Sequence, residues 1–217
     1  MALIVLCAAA ATTHWEQTSG GTVTAEPAVQ AVARSSPSSS APGTAVAPSA
    51  STAASTPGLS ISSRPGSVIR QADATRIAIP AIGYRAAVGQ MTTDANGDVN
   101  PPTLQDTYRI TNRGVAPGTK ATNTVYLACH SYSRGFAPCN LVFALAKPGQ
   151  HVLLSTAAGP LDYVIQTTRL YAKNGEFKSS SEVRAVVPGR LVLVTCFQEN
   201  DGSASTRNFV VFAQLAR

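Results

Sequence analysis

From Arg76 onward, glycine and proline cut the chain into short runs of β-forming residues, and this punctuation limits the folds open to it. The runs are Arg76 to Ile79, Tyr84 to Met91, Thr124 to His130, His151 to Ser155, Tyr163 to Leu170, Leu191 to Cys196 and Phe209 to Leu215. Between them stand Asn96-Gly97, Ala116-Pro117-Gly118, Lys147-Pro148-Gly149, Ala158-Gly159-Pro160, Asn174-Gly175 and Val187-Pro188-Gly189, whose backbone preferences favour turns. Helical periodicity is scarce and strands do not alternate with helices. The spacing predicts a mainly β domain, a closed barrel or sandwich of largely antiparallel strands, with no long helix.

Composition shows how much of the chain can join that domain. Between Glu16 and Ala72, Ser, Thr, Pro, Ala and Gly supply 41 of 57 residues, with no Phe, Tyr, Lys, Cys or Met. Such a stretch buries too little apolar area to offset the entropy of ordering it, so residues 16–72 read as a disordered linker or stalk. The folding domain is residues 73–217, near the commonest domain size. It holds 14 basic against 9 acidic residues of a chain whose net charge is +6. The basic residues are scattered singly and no glycine-aromatic signature accompanies them, which argues against nucleic acid as a partner. A mild positive excess suits work near anionic lipid or wall polymer.

Ala2 to Ala11 is apolar but only ten residues long, against about 20 needed to cross a bilayer. No Lys or Arg precedes it, so residues 1–15 read as the outer end of a signal peptide or membrane anchor whose start lies further upstream. A short apolar tail is the alternative. Cys7 follows the bulky Leu6, where a lipidation site needs a small residue.

Two runs, Thr124 to Cys129 and Leu191 to Val194, are apolar at nearly every position. Strands of that kind lie centrally, covered on both faces. Each ends in a reactive side chain, His130 in one case and Cys196 in the other. A thiolate is a nucleophile and an imidazole can take or share its proton. With ordinary pKa values of about 8.5 and 6.5, the ion pair is about a hundredfold rarer than the neutral pair, so either proximity shifts the balance or a minority form reacts. Acyl transfer also needs a group that stabilises the oxyanion. Arg207 stands at the entry to the last run, beyond the polar turn Gln198 to Ser203. A hairpin there would set Cys196 and Arg207 side by side.

These residues carry a family resemblance. Val125 to Ser131, Leu193 to Cys196 and Arg207 to Ala213 resemble the His, Thr-Cys and Arg blocks of sortases, in the same order, and are most similar to the actinobacterial class E/F group. Arg76-Ile77-Ala78-Ile79-Pro80, Gly114 to Gly118, and Val142 to Leu145 with Pro148-Gly149 resemble further stretches of that family. The resemblance implies an eight-stranded β-barrel outside the membrane, anchored by an N-terminal segment at the cell wall. Such an enzyme cleaves secreted proteins after the Thr of a C-terminal Leu-Pro-x-Thr-Gly-like motif. It implies that Cys196 forms the thioester, that His130 is the acid and base, and that Arg207 steadies the oxyanion. Thr195 assists from its hydroxyl or amide, and Phe177, in a lid over residues 171–187, contacts the motif. The acceptor would be an amine of a peptidoglycan precursor or a pilin, and no cofactor is called for.

One departure is Cys129, where relatives usually have Gly, with Cys139 following after a short loop. The two either form a disulfide beside His130, on the face of the strand that His130 does not use, or remain as partly buried thiols. Because adjacent strand residues face opposite ways, Cys129 and His130 do not readily share a zinc ion, and no metal site is expected. Asp94 to Asp98 resembles the start of a calcium loop, yet Gln105 stands where the closing Glu belongs, so an Asn-Gly turn explains it better. His151, after Gly149-Gln150, reads as solvent-exposed. Two other functions fit the same residues: a catalytically silent extracellular β-barrel binding module, and a thiol peptidase that hydrolyses the same motif.

Overall fold

The computed structural model describes residues 67–173, 175–199 and 201–216, together with a two-residue strand at Ile4–Val5. The expectations for an N-terminal leader and for most of the linker lie outside the described residues. The packed chain begins slightly before Asp73. Ile69 is buried, its amide donates to Thr119 Oγ1 at 3.0 Å, and the Ala72 amide donates to the Pro117 carbonyl at 3.1 Å.

Eight strands close into a barrel: β1 (Ala74–Ile79), β2 (Tyr84–Met91), β3 (Thr107–Ile110), β4 (Val125–Cys129), β5 (His151–Thr156), β6 (Gly159–Ala172), β7 (Arg190–Phe197) and β8 (Arg207–Leu215). Around the barrel the order is β8-β6-β5-β1-β2-β3-β4-β7, with β7 returning to β8. Neighbours are antiparallel except β2 with β3 and β4 with β7, which run parallel. Closure leaves no open sheet edge to be capped. Asp98–Val99 pairs in parallel with Ile4–Val5 outside the barrel.

Seven of these strands overlap the runs legible in the sequence: β2 matches its run, β4 is one residue shorter at each end, and the other five are longer by one to four residues at one or both ends. The eighth, β3, reads Thr-Tyr-Arg-Ile, too short and too polar to stand out, and is buried at every position. Among the described residues three short helices lie outside the strands: α1 (Cys139–Leu145), α2 (Glu176–Ser179) and α3 (Ser181–Arg184). Gly83, at φ 69°, ends a single 3-10 turn that bends β1 into β2, a left-handed conformation that favours glycine.

Alternation along the strands builds two cores. Leu127, Cys129, Leu191, Leu193, Phe209 and Val211 point into the barrel, with Ile77, Ile79, Leu154 and Tyr163 from other strands. Tyr126, Ala128, Val192, Val194, Cys196, Val210 and Phe212 point outward and are covered by Tyr171, Phe177 and Val183. The central strands are therefore apolar on both faces, as their sequences require.

Candidate active site

β4 and β7 are parallel neighbours, with Ala128 opposite Val194. Two residues further along each chain, His130 comes level with Cys196. Both continue the set of positions that points to the outer core rather than into the barrel. Their strand ends are tied together. Ser131 Oγ donates to the Cys196 carbonyl at 2.5 Å, and Gln198 Nε2 donates to Ser131 Oγ at 2.7 Å and to its carbonyl at 3.0 Å. Ser131, Gln198, His130 and Cys196 are all buried, so these bonds form away from competing water and hold the two chains in register.

His130 Nε2 lies 2.9 Å from the Pro101 carbonyl. A carbonyl only accepts, so Nε2 carries the proton and Nδ1 keeps its lone pair. Nδ1 has no hydrogen-bond partner among the described residues. Burial holds the imidazole below its ordinary pKa; the Pro101 bond opposes this and the nearby Lys173 charge reinforces it. The neutral ring, with a free basic nitrogen, is the resting form at neutral pH.

The third group beside the sulfur is one the sequence reading missed. Lys173, just past the end of β6, places Nζ 3.2 Å from Cys196 Sγ. Its backbone amide donates to the Thr206 carbonyl at 2.9 Å, which anchors it against the entry to β8. Burial lowers its pKa to about 8. Cys196 is disulfide-bonded in the structure, so the chemistry assigned to it below is that of the reduced thiol. Nothing in the local sequence marks Lys173, because its proximity to Cys196 arises only when β6, β7 and β8 pair.

The strand register also corrects the expected partner of Cys196 by one residue. On β8 it is Asn208 that stands opposite Cys196, while Arg207 stands opposite Phe197. Alternation turns Arg207 to the other face of the sheet. There both Nε and a terminal nitrogen donate to Glu199 Oε1, at 3.1 and 2.7 Å, and the guanidinium lies 4.6 Å from the centre of the Phe197 ring. Asn208 is fully buried, and neither of its amide atoms has a hydrogen-bond partner among the described residues. An unpaired buried polar group costs about 1–3 kcal/mol.

Thr195 pairs with Phe209 and belongs to the inward-pointing set, so its buried hydroxyl faces away from Cys196. Only its backbone is available to the Cys196 face. Phe177, on α2, is buried in the outer core and meets Tyr171 edge to face at 5.9 Å. It therefore packs over the same face as Cys196. Cys129 and Cys139 are joined by a disulfide that links the end of β4 to the start of α1, in the inner core. His151 is exposed and contacts Asp162 at 2.8 Å, remote from the site in the fold. Asp94 Oδ1 accepts from the amides of Asn96 and Asp98, which makes the Asp94 segment a tight turn. Among the described residues no cluster of His, Cys, Asp or Glu has metal-binding geometry.

Fold and site together define an eight-stranded β-barrel that carries a cysteine and a histidine level on adjacent strands. A sortase-domain family model matches residues 77–216, and the chain belongs to the sortase family. Its fold is similar to sortase C-1 from Actinomyces oris (16% identity, TM-score 0.50, 65% of this chain and 73% of that one). It is also similar to sortase A of Listeria monocytogenes (18%, 0.50, 67% and 88%). A pilus-related sortase C of Group B Streptococcus is a third match (14%, 0.52, 67% and 68%). At these identities the structural likeness speaks for the barrel alone. No curated protein matches the sequence. Family membership implies a cysteine transpeptidase that acts on proteins with sorting signals.

Proposed function

We propose that this chain is a class E/F-type sortase at the outer face of the plasma membrane, held there by its N-terminal segment, which cleaves Leu-Pro-x-Thr-Gly-like motifs. The blocks around His130, Cys196 and Arg207 support the subclass. The Cys129–Cys139 disulfide supports an oxidising compartment. What carries the reading is one observation: His130 and Cys196 are level on adjacent parallel strands, and the Ser131–Cys196 and Gln198–Ser131 bonds hold them there.

In this mechanism the thiolate of reduced Cys196 attacks the carbonyl carbon of the motif Thr, and the carbonyl electron pair moves onto oxygen. Collapse of that oxyanion expels the Gly nitrogen, which takes a proton from His130, and leaves a thioester. An amine from a peptidoglycan precursor or a pilin then gives a proton to His130 as it displaces the thiolate. The proton that His130 hands to the leaving amine is the one released by the Cys196 thiol, so the step balances without an outside acid. Phe177 packs as the apolar floor of the lid over this face.

The test is product analysis of the reduced protein incubated with a labelled Leu-Pro-x-Thr-Gly peptide and an amine. The expected product is peptide joined to the amine, lost in both Cys196→Ala and His130→Ala. Full turnover in either variant overturns the assignment. Hydrolysis without transfer at any amine concentration would make the chain a thiol peptidase.

A further inference from the structure

The mechanism needs a positive or dipolar complement to the charges that form on sulfur and oxygen. Arg207 is turned to the opposite face and engaged by Glu199. The half-buried Lys173 ammonium, by contrast, lies 3.2 Å from Cys196 Sγ. We propose that Lys173, and not Arg207, is the cation that stabilises the Cys196 thiolate, which makes it a further catalytic residue of the site. This rests on the sortase reading of Cys196.

The neutral state of His130 explains why a second cation is useful here. Burial and the nearby Lys173 charge both work against the imidazolium form of His130, whereas Lys173 Nζ is already placed on the sulfur. Lys173, also pressed toward neutrality by burial, gains from a thiolate beside it, and the gain is mutual. The other charged groups around the site are already engaged. Glu176, at the start of α2, accepts from the Ala172 amide at 2.8 Å. Lys178 pairs with Asp98, Glu182 with Tyr171 and Arg169, and Glu199 with Arg207.

The experiment measures the pH dependence of iodoacetamide alkylation on the reduced, full-length protein, with the Cys196 peptide quantified by mass spectrometry. The wild-type midpoint is expected below the ordinary thiol value of about 8.5. Lys173→Met should raise it by about 1 to 3 pH units, the range for loss of a close opposite charge. Lys173→Arg should keep it low, and Arg207→Met should leave it in place. An unchanged midpoint in Lys173→Met, or an equal rise in Arg207→Met, overturns the proposal. The readout involves no peptide substrate, so failure of the sortase reading leaves this result intact, and turnover with an unmoved midpoint removes Lys173 alone.

An independent observation assigns a second role. Asn208 stands opposite Cys196 on the same face, fully buried, with its amide nitrogen and oxygen both unpartnered among the described residues. We infer that its amide donates to the oxyanion formed on the scissile carbonyl. Asn208→Leu and Asn208→Asp, which both lack that donor, should lower kcat by about 10²–10³-fold with little change in KM, the size found for loss of one such donor. The thiol midpoint of Asn208→Leu should match wild type, and its thermal midpoint should be equal or higher because an unsatisfied amide is removed. A kcat within twofold of wild type, or a lower thermal midpoint that accounts for the lost activity, overturns this role.

Discussion

Breaking the Cys129–Cys139 bridge is a perturbation whose cost follows from chain geometry. The bond spans a sequence separation of 10 and so closes an eleven-residue loop. Cross-linking a loop of that size removes roughly 9 cal/mol/K of entropy from the unfolded chain, or about 2.8 kcal/mol at 25 °C. Native order in the loop does not rest on the bond alone. Asn140 accepts from the Tyr132 amide at 2.8 Å and donates to the carbonyls of Tyr132 and Gly135 at 2.9 and 3.1 Å. The loss should therefore appear as stability with little change of structure.

In a Cys196→Ala background, which removes the other disulfide from every arm, urea unfolding of the oxidised form, the fully reduced form and the Cys129→Ala/Cys139→Ala form separates the contributions. With a slope of about 2 kcal/mol/M, within the usual range for urea, the reduced midpoint should fall by roughly 1–2 M. The variant should fall slightly further, because both sulfurs are buried in the inner core and their removal loosens packing. A loss below about 0.5 kcal/mol in both arms would refute the reasoning, since the unfolded chain would then be equally constrained with and without the bond. A loss confined to the variant would assign the effect to packing instead.

Other expectations follow from single residues. The lowered pKa of His130 means that the unfolded chain binds a proton which the folded chain resists, so stability should fall as pH drops below about 6.5. Urea midpoints at pH 5.5 and 7.5 should therefore differ more in wild type than in His130→Gln, and equal differences would contradict this. Phe177→Ala removes a fully buried ring that joins α2 to the outer core, a change that costs about 3–5 kcal/mol in well-packed cores. Limited proteolysis should then cut within residues 175–187 while the barrel survives, and unchanged resistance there would count against the packing described. Arg190 is buried and donates to Thr124 Oγ1 and to the carbonyls of Glu182 and Ala185. Arg190→Leu should cost about 1.5–3 kcal/mol or more in urea unfolding through those orphaned acceptors, and a neutral result would remove that role.

Much of the barrel was legible because glycine and proline turns delimit strands whose apolar residues lie on one face or both. Thr107 to Ile110 was not, because four residues with an internal Arg give no periodic signal and the strand is defined by its neighbours Tyr84–Met91 and Val125–Cys129. His130 and Cys196 could be read as a pair because each ends a strongly apolar strand. The placement of Arg207 depended on hairpin register, and a shift of one residue reverses the face of every side chain. That is why Asn208, and not Arg207, stands opposite Cys196. Lys173 belongs to a different strand end, and only the closure of the barrel brings it to the sulfur.

The most direct test of the central claim is intact-mass analysis of the reduced protein mixed with a Leu-Pro-x-Thr-Gly peptide before and after an amine is added. The account predicts a mass gain equal to the peptide acyl fragment, mapped to Cys196, that disappears when the amine is added and reappears as amine-linked peptide. An adduct on another residue, or transfer that persists in Cys196→Ala, would contradict it.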